Sequence, residues 1–292
     1  MGMNLSCVLA ALLFFTGNLL LLIYYVQEDQ RDHYDYTKYT SLDADYIEIE
    51  WNWRVDHRGP YIAAGLINAF AWFFLAFPTI QLTWVLSNQG TRMLWLHVMV
   101  GVLILAGSFT EWISRFMSFG SDLATQMIVK NFELDGWISN LDDSGLGWKT
   151  LEVAYVVTQG MVWFVDAFEW LVLFFVMLLI HISVRGFEDY ATLGGCWNYL
   201  SLFISLFSLL DFIAEVLRLD GFKTFSQIAF WYAALNRLVF IPLWLFLLSR
   251  SLPVISSGMG GSKTMDTAMN QNGGAPQQNG EAPHETFTIG DD

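Results

Sequence analysis

The residues best suited to chemistry are charged side chains that fall inside long apolar segments. Glu111 and Arg115 are four residues apart, so on a helix they share one face. Asp166 and Glu169 are three residues apart within another apolar segment, which contains no basic residue of its own. A lone charge in the middle of a bilayer costs several kcal/mol, so such groups should face the interior of a helix bundle and pair there.

Asp166 and Glu169 are the sharpest of these candidates. Two carboxylates this close should not both ionise easily, so one of them could carry a proton or meet a cation. Other polar residues in apolar segments extend the predicted substrate- or ion-binding set. The full set is Asp166, Glu169, Glu111, Asp211, Glu215, Arg115, Arg218, Arg237 and Asn236.

Composition indicates the elements that must position these groups. Of 292 residues, 54% are hydrophobic and only 14% are charged, against about a quarter in ordinary soluble domains. The mean hydropathy is +0.42, and the chain has two cysteines. These values exclude a soluble enzyme, a disordered protein and a disulfide scaffold. They predict an all-α fold, a polytopic transmembrane bundle of about six helices.

The predicted helices form one transmembrane domain over residues 1–251, followed by a disordered polar tail over 252–292. Pro78 and Pro242 fall inside apolar runs, where they should distort their helices. The first segment could instead be a signal peptide, but its long apolar run favours a retained helix. The helices are expected at about 5–26, 60–87, 93–118, 151–184, 197–218 and 227–250.

Alternating helix directions would bring all the charged groups into one half of the membrane, beside the acidic connections. The natural inference is a polar cavity that opens toward that side. Six spans also place both termini on one side of the membrane, which we expect to be the cytosolic side. The membrane is expected to be the plasma membrane or an endomembrane. The similar segments 68–72 and 166–170, each ending in Ala-Phe-x-Trp, indicate a parallel repeat of two-helix hairpins.

The net charge of −14 disfavours nucleic acid and anionic lipid as partners. The expected partners are the lipid bilayer and either other membrane proteins or a small solute or cation. No cofactor and no metal site are predicted, and His97 and His181 are expected to make ordinary hydrogen bonds at helix ends. Gly2 and Cys7 match a lipidation pattern, for which a chance match is the alternative.

Two functional hypotheses follow from this pattern. One is a transporter- or channel-like protein that moves a cation, proton or small solute through an intramembrane cavity lined by acids and arginines. The other is a non-catalytic membrane subunit or scaffold whose charged cluster is structural. A membrane-embedded enzyme ranks last, because the sequence has no Gly-x-Ser-x-Gly elbow, no His-Glu-x-x-His helix and no phosphate-binding loop.

Overall fold

A computed structural model describes residues 4–32, 54–88, 94–131, 146–185, 196–219 and 223–253. These residues are almost entirely helical, and none of them forms a β-strand, so the predicted all-α fold is confirmed. A π-helical turn at Asn236–Phe240 separates the last two helices. The helices are α1 (Leu5–Asp32), α2 (Arg58–Asn88), α3 (Leu94–Asn131), α4 (Leu146–Arg185), α5 (Cys196–Leu219), α6 (Lys223–Leu235) and α7 (241–253).

Six segments are long and apolar enough to cross a bilayer, as predicted. Their outer faces expose large apolar side chains along most of their length, for example Trp84, Phe109 and Phe164. Such a surface is stable in lipid rather than in water, so this is a multi-pass integral membrane protein. The spans are Leu5–Tyr24, Arg58–Asn88, Leu94–Ile128, Val153–Arg185, Cys196–Leu217 and Phe230–Pro253.

The observed helices extend beyond the bounds that were expected from the apolar segments. α3 ends at Asn131 instead of at residue 118, and α4 begins at Leu146 instead of at 151. The 38 residues of α3 span about 57 Å, well beyond the roughly 30 Å of a bilayer core. α7 includes Leu252 and Pro253, and the rest of the predicted tail lies outside the described residues.

The spans are arranged as a ring in which each helix packs against the next one in the chain. The ring closes where the π-helical turn contacts α1, while α2 and α4 touch only slightly across its centre. At one end of the bundle, the backbone N–H of Asn4 donates to the carbonyl of Ser249 at 2.9 Å. The two ends of the described bundle therefore lie on the same side, as expected for six spans.

Pro242 distorts the last span by changing its hydrogen-bond pattern. A proline lacks an N–H, so the regular ladder cannot continue through it. In the turn before it, the N–H of Ile241 donates to the carbonyl of Asn236, five residues earlier. This π-helical turn contains Asn236 and Arg237, and such turns are common at functional sites. α2, in contrast, is α-helical on both sides of Pro78.

Candidate intramembrane ion site

A layer of polar side chains crosses the interior of the bundle. Each span contributes to it, and apolar residues face outward beside it on every helix. Five of the six side chains are buried, and the carboxylate of Asp166 is partly exposed to an internal cavity. The layer consists of Asn18, Asn68, Glu111, Asp166, Asp211 and Asn236.

Hydrogen bonds hold Glu111 in place from two sides. Asn68 Nδ2 donates to Glu111 Oε1 at 2.8 Å, and Arg115 Nε donates to the same oxygen at 2.7 Å. Asn18 Nδ2 in turn donates to Asn68 Oδ1 at 2.9 Å, which orients the Asn68 amide. The predicted pairing of Glu111 with Arg115 is therefore present, inside the bundle rather than at the membrane surface.

Two glycines allow the helices to approach closely beside these bonds. A Cβ atom on Gly17 would lie 3.0 Å from the backbone nitrogen of Asn68. A Cβ atom on Gly65 would lie 2.7 Å from the ring of Phe119 and 3.4 Å from Cδ of Arg115. Small residues at such crossings let membrane helices pack backbone to backbone.

Three carboxylates meet between α3 and α4. Glu111, Asp166 and Glu169 each place one oxygen within 4.8 Å of the others. Ser114 Oγ donates to Asp166 Oδ1 at 2.5 Å. Glu169 is completely buried, and neither of its oxygens accepts a hydrogen bond from any donor in the described part of the chain. The same is true of Oε2 of Glu111.

The other side of the layer is formed by α5 and the π-helical turn. Asn236 Nδ2 lies 3.2 Å from Ser208 Oγ and 3.4 Å from Asp211 Oδ2. The guanidinium of Arg237 stacks over the ring of Trp170, with its Cζ atom 4.7 Å from the ring centroid. The buried Nε atom of Arg237 donates to no acceptor among the described residues.

A cavity of about 170 Å³ lies inside the ring, next to the polar layer. It is large enough for several water molecules, and its polar lining would hold them. Four residues of the predicted site line it: Arg115, Asp166, Glu215 and Arg237. Aromatic side chains, among them Tyr61, Trp163 and Trp170, form much of the remaining wall.

A second polar cluster surrounds Arg54, which also lines the cavity. Arg54 is buried, and its Nη1 atom lies 3.7 Å from Asp122 Oδ2. The same nitrogen donates to Ser118 Oγ at 3.3 Å and to Gln159 Oε1 at 3.2 Å. Tyr155 also binds Asp122, donating from its hydroxyl at 2.9 Å. This Arg54 cluster ties α3 and α4 to the segment that precedes α2.

The structure brings most of the predicted site residues together. Glu111, Arg115, Asp166 and Glu169 form one group, and Asp211, Asn236 and Arg237 face it from α5 and the π-helical turn. Glu215 lines the cavity between them. The side chain of Arg218 and all of Gly2 lie outside the described residues. Cys7 is buried, and its lipidation stays a prediction.

Sequence reasoning missed several members of the site. Asn18 and Ser114 are uncharged, and single polar residues in apolar helices are common, so no charge pattern marked them. Asn68 was noted only as part of the repeat. Arg54 and Asp122 lie outside the predicted helices, of which one begins at residue 60 and the other ends at residue 118. The histidines behave as expected, with His97 Nδ1 2.6 Å from Ser87 Oγ and His181 Nδ1 2.8 Å from the carbonyl of Asn198.

These observations define a multi-pass α-helical membrane protein with a charged cavity inside its ring of spans. No protein-family model, curated protein or solved structure matches the chain.

Proposed function

We propose that this protein binds a proton or cation at Glu111, Asp166 and Glu169 and moves it across the membrane, as a transporter or channel. The observation that carries the proposal is the environment of Glu169. Its carboxylate is fully buried beside two other carboxylates, and it lacks a hydrogen-bond donor among the described residues. Ionisable groups inside a membrane are expensive, and they are typical of proton and ion pathways.

The cavity supplies a route to this site. Asp166 lies in the cavity wall and also in the carboxylate cluster, so it connects the space inside the ring with the buried Glu169. Glu215 lines the same cavity on the opposite helix pair. An ion or proton would therefore pass from the cavity to Asp166 and from there to Glu169.

The two arginines have different roles in this proposal. Arg115 neutralises Glu111 through a direct bond at 2.7 Å and so fixes one side of the cluster. Arg237 makes no ion pair within 4 Å among the described residues, although its charge acts on Asp166, Glu169 and Asp211. Its positive charge would limit how tightly a cation is held, which favours release.

The scaffold hypothesis has one observation in its favour. Glu111 accepts hydrogen bonds from both Asn68 and Arg115, as expected of a structural buried ion pair. On this hypothesis the carboxylates only connect helices, and the protein has no transport activity of its own.

Flux measurements in proteoliposomes distinguish the two functions. Purified protein is reconstituted, and proton and cation fluxes are recorded with an enclosed pH-sensitive dye and ion-selective electrodes. We expect a flux above that of empty vesicles, reduced at least tenfold by Glu169→Gln and by Asp166→Asn. The matched control Asp56→Asn removes an exposed acid and should keep the wild-type rate.

Correct folding of each variant is checked by gel filtration and circular dichroism in detergent. A wild-type protein with no proton or cation flux would contradict transport. So would a flux that the folded Glu169→Gln and Asp166→Asn variants leave unchanged. A Glu169→Gln variant that is inactive and more stable than the wild type would support transport, since binding sites commonly sacrifice stability.

A further inference from the structure

The carboxylate cluster has the geometry of a metal site. One oxygen each from Glu111, Asp166 and Glu169 lies within 4.8 Å of the other two. Oxygens that bind one Ca²⁺ at 2.3–2.6 Å are at most about 5 Å apart, so the three can share a single ion. Asp166 and Glu169 are three residues apart on α4, and Glu111 faces them from α3.

An independent feature of the cluster also indicates a missing ligand. Glu169 is fully buried, and both of its oxygens lack a hydrogen-bond donor in the described part of the chain, as does Oε2 of Glu111. Buried polar atoms are nearly always satisfied, because an unsatisfied one costs about 1–3 kcal/mol and a charged one more. Three such oxygens at one point require either a shared proton or a cation between them.

The charge balance close to the cluster favours a divalent partner. The three carboxylates together carry up to three negative charges, and Arg115 is the one base within 4 Å of them among the described residues. Two further acids, Asp211 and Glu215, lie on the other side of the cavity, where Asp211 is next to the π-helical turn that contains Arg237. Arg115 offsets one of the three negative charges, and a divalent cation would neutralise the other two.

The ligand type identifies the class of cation. Carboxylate oxygens suit hard cations such as Mg²⁺, Mn²⁺ and Ca²⁺, whereas Zn²⁺ and Cu²⁺ favour sites with histidine or cysteine. Neither residue type belongs to this cluster in the described ranges. Water from the cavity can complete the coordination shell, because Asp166 is part of the cavity wall.

We propose that Glu111, Asp166 and Glu169 together bind one hard divalent cation, of the class of Mg²⁺, Mn²⁺ and Ca²⁺. This inference rests on the proposed function in using the same three carboxylates, but it concerns equilibrium binding and requires no transport.

The test is a titration with Mn²⁺ followed by electron paramagnetic resonance, which reports the free aqueous ion. Protein in detergent is first stripped with a chelator and exchanged into chelator-free buffer. We expect one saturable Mn²⁺ site per chain, with competition by excess Mg²⁺ or Ca²⁺ and none by K⁺. Glu169→Gln and Asp166→Asn should each weaken Mn²⁺ binding at least tenfold.

The control is Asp122→Asn, which removes another buried acid of α3 that Arg54 and Tyr155 already bind. It should keep the Mn²⁺ affinity within about threefold. Glu111→Gln is avoided as the main variant, because Glu111 also holds Arg115. The proposal is overturned if the wild type has no saturable site up to millimolar Mn²⁺, or if both cluster variants, folded, bind as the wild type does.

Failure of this inference and failure of the proposed function give different results. Proton or monovalent cation flux that depends on Glu169, without Mn²⁺ binding, would overturn the metal site and leave transport standing. Mn²⁺ binding that depends on Glu169, without any flux, would support the metal site and contradict transport.

Discussion

The guanidinium carbon of Arg237 lies 4.7 Å from the centroid of the Trp170 ring. The residue next to this tryptophan, Glu169, has no direct ion pair with Arg237 among the described contacts. The π-helical turn thus presents its positive charge to an aromatic face, and Arg237 makes no ion pair within 4 Å among the described residues. A bundle built only to neutralise its charges would be expected to pair them, so this arrangement favours a binding role for the acids.

The Arg237–Trp170 contact should be measurable as a coupling energy. A cation–π contact shielded from water contributes about 1–2 kcal/mol. In a double-mutant cycle of Trp170→Leu and Arg237→Gln, we expect a coupling of that size in the free energy of unfolding, followed by fluorescence in detergent. The same cycle with Trp84→Leu, which changes an exposed tryptophan on the outer face of α2, should be additive. Additivity at Trp170 would mean that the contact contributes nothing.

Removing Arg115 should destabilise the bundle strongly. Arg115→Gln leaves the fully buried Glu111 with Asn68 as its remaining charge-stabilising donor. Breaking one partner of a buried ion pair costs about 3–5 kcal/mol, and we expect a loss of that order in chemical unfolding. Arg250→Gln, which changes an exposed arginine on α7, is the control and should have little effect.

Neutralising both partners should recover much of that stability. In the double variant Glu111→Gln and Arg115→Gln, neither position of the pair keeps an uncompensated charge, and the new amide at 111 can still accept the bond from Asn68. We expect it to be more stable than Arg115→Gln alone by at least about half of the lost free energy. A double variant as unstable as the single one would show that the packing of Arg115, not its charge, is what matters.

Gly65→Ala should disturb the site through packing alone. Its new methyl group would lie 2.7 Å from the Phe119 ring, so that ring must shift, and it would touch Arg115 Cδ at 3.4 Å. Such overpacking costs about 1–3 kcal/mol, measured as a lower unfolding midpoint. Gly101→Ala is the matched control, because no atom lies within 4 Å of its Cβ position, and it should be neutral or slightly stabilising. Phe119→Leu should relieve part of the Gly65→Ala defect.

The cavity should be accessible to small water-soluble reagents. Ala234 of α6 lines the cavity, whereas Ala69 of α2 is fully buried and is not part of the cavity wall. In a background with Cys7→Ala and Cys196→Ser, we expect Ala234→Cys to react with a small charged methanethiosulfonate and Ala69→Cys to stay unreacted. Adding Arg54→Gln should speed the reaction of the Ala234→Cys thiol, because Arg54 lines the cavity and links α3 to α4 there. Equal rates with and without Arg54 would contradict that role.

The spans and the main acidic residues could be predicted from sequence because both depend on local properties. Twenty apolar residues in a row have few folded alternatives to a membrane helix, and a charge within them must face inward. For this reason Glu111, Asp166 and Glu169 were identified, and the structure places them together.

What sequence reasoning could not supply is the pairing between distant segments. The bond from Asn18 to Asn68 joins residues 50 positions apart, and that of Arg54 to Gln159 joins residues 105 apart. Neither asparagine differs in local context from many that merely face a neighbouring helix. The predicted end of α3 at residue 118 and the predicted start of α4 at residue 151 also make both helices too short. An apolar run ends where the lipid ends, whereas a helix can continue beyond the membrane.

The contact that closes the ring joins α1 to the π-helical turn, two parts of the chain that are made at very different times. At about 5–20 residues per second, the roughly 200 residues between them take on the order of 10 s or more to synthesise. Until the last span is made the ring stays open, and Asp211 lacks the contact that Asn236 provides in the closed ring. A truncation before the last span would leave it in that state permanently, and cellular quality control should degrade it.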